Sequence, residues 1–94
     1  MIFAIEAVNY DLNGNLARVR WHSIDLRDSL VHGPSAVVDV AHAVEMVERY
    51  RVHVCYHGAP GTQVVVGTRD GQKTLVDLPE TPANQRLERL PRFE

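Results

Sequence analysis

The chain has 94 residues, of which 45% are hydrophobic and 23% charged, a balance that suits one folded domain with a modest core and leaves no length for a second. Twelve acidic against ten basic residues leave a formal charge of −2, which excludes the basic excess of proteins held to nucleic acid or membrane by charge alone. A single cysteine, Cys55, excludes an internal disulfide. With no leader-like start and no apolar stretch of membrane-spanning length, the composition predicts a cytoplasmic protein.

Residues 2–9 form an apolar run that predicts a first strand. Both of its faces are apolar, Phe3, Ile5 and Ala7 on one and Ile2, Ala4 and Val8 on the other, so the strand is expected to be central or covered on both sides. Asp11, Asn13 and Gly14 supply turn chemistry. The second strand starts at Leu16 and alternates cleanly, with Ala17, Val19 and Trp21 toward the core and Arg18, Arg20 and His22 toward solvent. Residues 23–34 read as a polar connection.

Residues 34–50 predict the one substantial helix. On a helical wheel Ala36, Val37, Val40, Ala41, Ala43, Val44 and Val47 share one arc, and Ser35, Asp39, His42, Glu45 and Arg49 share the other. Valine is a mediocre helix former, which leaves a strand open for residues 36–40, but length and the Pro34/Ser35 start favour a helix throughout. Val38 and Met46 fall on the polar arc and make a candidate partner surface.

Residues 51–57 resume strand character, and Gly58, Pro60 and Gly61 end it. Residues 62–68 and 72–77 flank Asp70-Gly71, a strong hairpin signal. The valine-rich segment 62–68 would invite strand addition if it lay at a sheet edge. Residues 79–94 carry three prolines and are expected to dock as a tail through Leu87 and Leu90. The predicted class is α+β: a mainly antiparallel sheet of four to five strands in the order β-β-α-β-β-β, with the helix across the face that carries Trp21.

From Val64 onward, the residues Val64-Val65-Val66, Asp70 to Leu75 and Leu87-Glu88-Arg89-Leu90-Pro91-Arg92-Phe93 resemble the ending of a family of short bacterial proteins, the domain of unknown function DUF3892. The resemblance implies a bacterial setting and a similar domain boundary. It implies no activity. That family carries Lys-Tyr-Leu-Arg-Thr where Lys73-Thr74-Leu75-Val76-Asp77 stand here.

Three groups of residues carry candidate chemistry. His53, Cys55 and His57 share one face of a strand, but residues four apart lie about 13 Å apart, so one metal ion cannot take both histidines. His22, His32 or Asp77 would have to complete such a site, and Cys55 as a nucleophile would need an imidazole closer than same-strand neighbours come. The Arg18, Arg20 and His22 row, with Arg69 and Lys73 nearby, suggests a nucleic-acid face; alternating charge is also the ordinary way to solvate a strand. No signature implies a cofactor. The favoured expectation is a non-catalytic domain acting by protein contact or self-association, with Arg18, Arg20, His22, Val38 and Met46 as candidate contacts.

Overall fold

The computed structural model describes residues 2–24, 33–51, 53–56 and 59–94, with backbone alone for residues 53, 56 and 59–62. The described elements are β1 (Ile2–Tyr10), β2 (Leu16–Ile24), β3 (Ala36–Asp39), α1 (Val40–Tyr50), β4 (His53–Tyr56), β5 (Ala59–Arg69) and β6 (Gln72–Asp77). Two short 3-10 turns follow at Ala83–Gln85 and Leu87–Arg89. The strands form a single sheet in the order β3-β2-β1-β4-β5-β6. Every neighbouring pair is antiparallel except β1 and β4, so α1 is the crossover from β3 to a strand running the same way. The α+β class holds, with one helix on a mainly antiparallel sheet. Because α1 touches β2 and β3 at one side and β5 and β6 at the other, the sheet curls around it.

The two apolar faces of β1 have a simple cause. Pairing with β2 steps from Ile5 opposite Trp21 to Ala7 opposite Arg20, which leaves Glu6 as the extra residue of a β-bulge. The alternation slips by one there, so Phe3 and Ile5 before the bulge share the core side with Val8 and Tyr10 after it. Ala4, Ala7 and Asn9 take the outer side. β1 is central, as its sequence implied.

Val19 and Trp21 lie in the core, Trp21 only 3% exposed and stacked on Phe3 with ring centroids 4.5 Å apart. Ala43 and Val44 of α1 belong to the same cluster, with Val40, Met46 and Val47 packed against it. These helix positions follow the i, i+3, i+4, i+7 spacing of a one-sided stripe. The helix begins later than its wheel suggested. Residues 36–39 pair with β2, Val38 opposite Val19 and Val37 opposite Arg20, and only from Val40 does the chain turn helical. The β-branched pair Val37-Val38 suits an extended chain beside a strand with an open edge, and Asp39, at φ −67° and ψ 150°, is the extended residue that starts the helix in place of Ser35. A sixth strand therefore stands where helix was expected, and the order is β-β-β-α-β-β-β. At the far end Arg51 stops α1 in a left-handed conformation, and Glu45 meets Arg49 at 3.2 Å.

The expected hairpins are present. Asp70 and Gly71 both have positive φ, 53° and 79°, between Arg69 and Gln72, the two-residue turn whose twist matches the flanking strands. The Asp11 carboxylate accepts the N–H groups of Asn13 and Asn15 at 2.9 and 3.0 Å and closes the first turn. One expectation for strand addition is corrected. Residues 64–69 of β5 pair with β6 along their length, and Gln63 and Val64 pair with β4, so this segment is interior to the sheet; the edges are β3 and β6.

The tail completes the core. Leu87 and Leu90 are buried, and the Asp77 carboxylate accepts the Leu87 N–H at 3.2 Å. Beyond Ile5, the last β1 residue with a described partner on β4, the tail pairs with β1: the Val8 N–H donates to Pro91 O at 2.9 Å and the Phe93 N–H donates to Val8 O at 3.0 Å. Removing the Trp21 side chain empties the largest volume under α1. Trp21→Ala is expected to lower unfolding free energy by about 3–5 kcal/mol, whereas the exposed Tyr50→Ala stays within about 0.5 kcal/mol, both read from urea unfolding followed by circular dichroism.

Candidate functional site

The outer face of β1 and β2 gathers Glu6, Asn9, Arg18, Arg20 and His22, and neither end of this row is simply solvated. His22 is 2% exposed. The bulge turns Glu6 toward it, and Glu6 Oε1 accepts from His22 Nδ1. The same oxygen accepts the Ser35 hydroxyl at 2.6 Å, just before β3 begins. A carboxylate that accepts from both groups fixes the imidazole with its proton on Nδ1 and fastens the approach to β3. It does not make a nucleophilic serine, because the hydroxyl proton is directed at the carboxylate and not at an imidazole nitrogen. His22 is thus an interior partner of Glu6, and the expected exposed row ends at Arg20.

Arg18 and Arg20 are half-buried beneath the tail. Their guanidinium carbons lie 5.7 and 4.9 Å from the centre of the Phe93 ring, which the tail's pairing with Val8 brings over this face. Asn9 ties the group together: its Nδ2 donates to Phe93 O at 2.8 Å, and its Oδ1 accepts from Arg18 Nε at 3.3 Å. An open basic sheet face for a phosphate chain is therefore not what these residues form.

Val38 and Met46 are also placed differently from their expected positions on one helix surface. Val38 is on β3, Met46 is on α1, and both pack half-buried against the core. The exposed member is Val37, at 48%. Its backbone orientation follows from Val8. Both Val8 backbone groups go to the tail, so Val8 and Val19 are a non-bonded pair between β1 and β2, and Val19 must direct its groups to Val38. Val37, one residue away, then turns its N–H and C=O outward from the sheet. Among the described residues nothing pairs with that edge. The opposite edge, β6, is better guarded: Lys73 reaches both oxygens of Glu48 on α1 at 3.0 Å, and Asp77 is tied to Leu87.

Of the metal candidates, His57 and His32 lie outside the described residues, as does the His53 side chain. Cys55 is fully buried, and burial pushes its thiol up, away from a reactive thiolate. Among the described residues no three His, Cys, Asp or Glu side chains converge as metal ligands would, and none of the helices is long and apolar enough to cross a membrane. In a groove lined by Leu16, Val40, Lys73 and Asp77 among others, Lys73 is engaged with Glu48 and Asp77 with the Leu87 N–H. Burial raises the Asp77 carboxyl above its usual range, opposed by the Leu87 N–H and Arg86 and reinforced by Glu88. Tyr10 is likewise raised by burial, with Arg92 4.8 Å over its ring opposing.

Sequence reasoning missed Glu6, Ser35 and Phe93. Glu6 had a signal, as the lone charge in an apolar run, which a buried strand tolerates only with a partner. Ser35 and Phe93 had none, because Glu6 lies 29 residues from Ser35 in the chain and Asn9 lies 84 from Phe93.

Two outcomes are expected. Glu6→Ala deprives buried His22 of its carboxylate and lowers unfolding free energy by about 1–3 kcal/mol, while Ser35→Ala costs about 1 kcal/mol, both by denaturant titration. A raised Asp77 pKa means the folded chain favours the protonated acid, so its stabilising contribution is present at low pH and is lost as pH rises through that pKa. The melting temperature of the wild type relative to Asp77→Asn should therefore fall between about pH 3 and 6; a constant difference would contradict the burial of that carboxylate. No protein-family model, no curated protein and no solved structure matches the chain.

Proposed function

We propose that the chain is a small non-catalytic domain that works by protein contact, through addition of an extended partner segment to the β3 edge. The reading is one of a bacterial cytoplasmic protein, the setting that the DUF3892 resemblance implies and the lone cysteine suits. The observation that carries it is the outward-facing backbone of Val37, on an exposed edge strand whose ladder positions hold no proline or lysine. Strand addition draws affinity from main-chain hydrogen bonds, and a hydrophobic side chain such as Val37 gives the incoming strand a surface to cover. At four residues the edge is short, so the contact is a modest one, suited to reversible association. The serine, histidine and carboxylate beside it support an anchoring role, since they hold the chain just before β3 and do not assemble a proton relay.

Proline at Val37 removes an outward N–H and no ladder bond to β2, so it separates contact from folding. Extended peptides selected from a displayed random library on the wild-type chain should bind Val37→Pro about tenfold more weakly or worse, with little change in melting temperature. Equal binding to both chains would overturn the reading.

A further inference from the structure

The β3 edge is complementary to itself. Val37 turns its N–H and C=O away from β2, and by the same alternation Ser35 and Asp39, two residues to either side, turn theirs outward, although the Asp39 C=O enters the first turn of α1. The chain already runs beside β2 at Gly33, whose N–H donates to Ser23 O at 2.9 Å, so Ser35 is held in line with the strand. Laid antiparallel against a second copy, with a two-fold axis through Val37, this segment pairs Val37 with Val37, Ala36 with Val38 and Ser35 with Asp39. Two main-chain bonds then join the valines, and each Asp39 N–H reaches the Ser35 C=O of the other copy.

Side-chain size and charge favour that partner over a strand of arbitrary sequence. On the outer face, shared with Arg18 and Arg20, each Val37 is 48% exposed and covers the other as a β-branched cross-strand pair. On the helix side the half-buried Val38 meets the exposed Ala36, a larger side chain beside a small one. Asp39 is the one charged residue of β3. The two-fold sets it against a serine and keeps the two carboxylates four positions, about 13 Å, apart. Parallel pairing in register would instead place Asp39 beside Asp39, and like charges directly opposite each other are destabilising.

We propose that the occupant of the β3 edge is a second copy of this chain, joined antiparallel about a two-fold axis at Val37, so that the two six-stranded sheets run on into one with both helices on the same face. The proposal rests on the strand-addition reading above and names its partner. With an edge of four residues the dimer is weak and forms by mass action at high concentration.

In sedimentation equilibrium the weight-average mass of the wild type should rise from the monomer toward twice that value between about 10 µM and about 1 mM, and Val37→Pro, which keeps the bonds to β2, should stay monomeric over that range. Register is read by cross-linking. Ala36 and Val38 of opposite copies come within about 4.5 Å at Cα, a distance a disulfide spans, whereas either position lies about 8 Å from its own counterpart. A mixture of Ala36→Cys and Val38→Cys chains, oxidised mildly, should therefore yield about tenfold more disulfide-linked dimer than either variant alone. Buried Cys55 is common to all these samples and cancels. A wild type that stays monomeric at about 1 mM, while library peptides bind it and not Val37→Pro, would overturn self-pairing and leave the strand-addition reading standing. Peptides that bind both chains equally would remove that reading and this proposal with it. A dimer that survives Val37→Pro, or cross-linking as strong in the single variants as in the mixture, would overturn the two-fold at Val37.

Discussion

Val8 sits where the sheet would otherwise have an open interior edge. Among the described residues β4 accompanies β1 over residues 2–5, and in the second half of the central strand the tail pairs with Val8 through Pro91 and Phe93. An unpaired backbone N–H and C=O at a fully buried residue would each carry a desolvation penalty of about 1–3 kcal/mol. That requirement links the end of the chain to its beginning. It also fixes which backbone groups of β2 face β1, which of β3 face β2, and so which face outward at the sheet's far edge.

The bulge at Glu6 is the second consequence-bearing feature of β1. It lets Ile5 and Val8 share the core, and it sends one carboxylate to the outer face between His22 and Ser35. The charged groups on that face are matched within the chain: Glu6 with His22 and Ser35, Arg18 with Asn9 and Phe93, Arg20 with Phe93. Among the described residues the Val37 edge keeps its backbone groups turned outward, and the proposed strand addition rests on that edge.

Much of the fold was legible because it rests on local rules. Asp70-Gly71 announced its hairpin, the alternation of Val19 and Trp21 announced the buried face of β2, and the spacing of Val40, Ala43, Val44 and Val47 announced the helix. The first turn of the expected helix was misread for a physical reason. Ala36-Val37-Val38 fits a helical wheel by composition, and only a pairing partner on β2, seventeen residues upstream of Val37 at Arg20, makes it a strand. The site was less legible still. His22 looked solvent-facing because strand alternation says nothing of what covers the outer face, and among the described residues Glu6, through a bulge, meets His22 and Phe93, through the tail, lies over Arg20.

Residue-resolved amide hydrogen exchange in dilute solution tests the pairing scheme most directly, since the scheme assigns each backbone group a direction. The amides of Val8 and Val38 should be protected, the first by the tail and the second by β2, while Val37 between its neighbours exchanges near the rate of an open chain. A Val8 amide that exchanges as fast as Val37 would contradict the tail's place on β1, and with it the assignment of the outward edge.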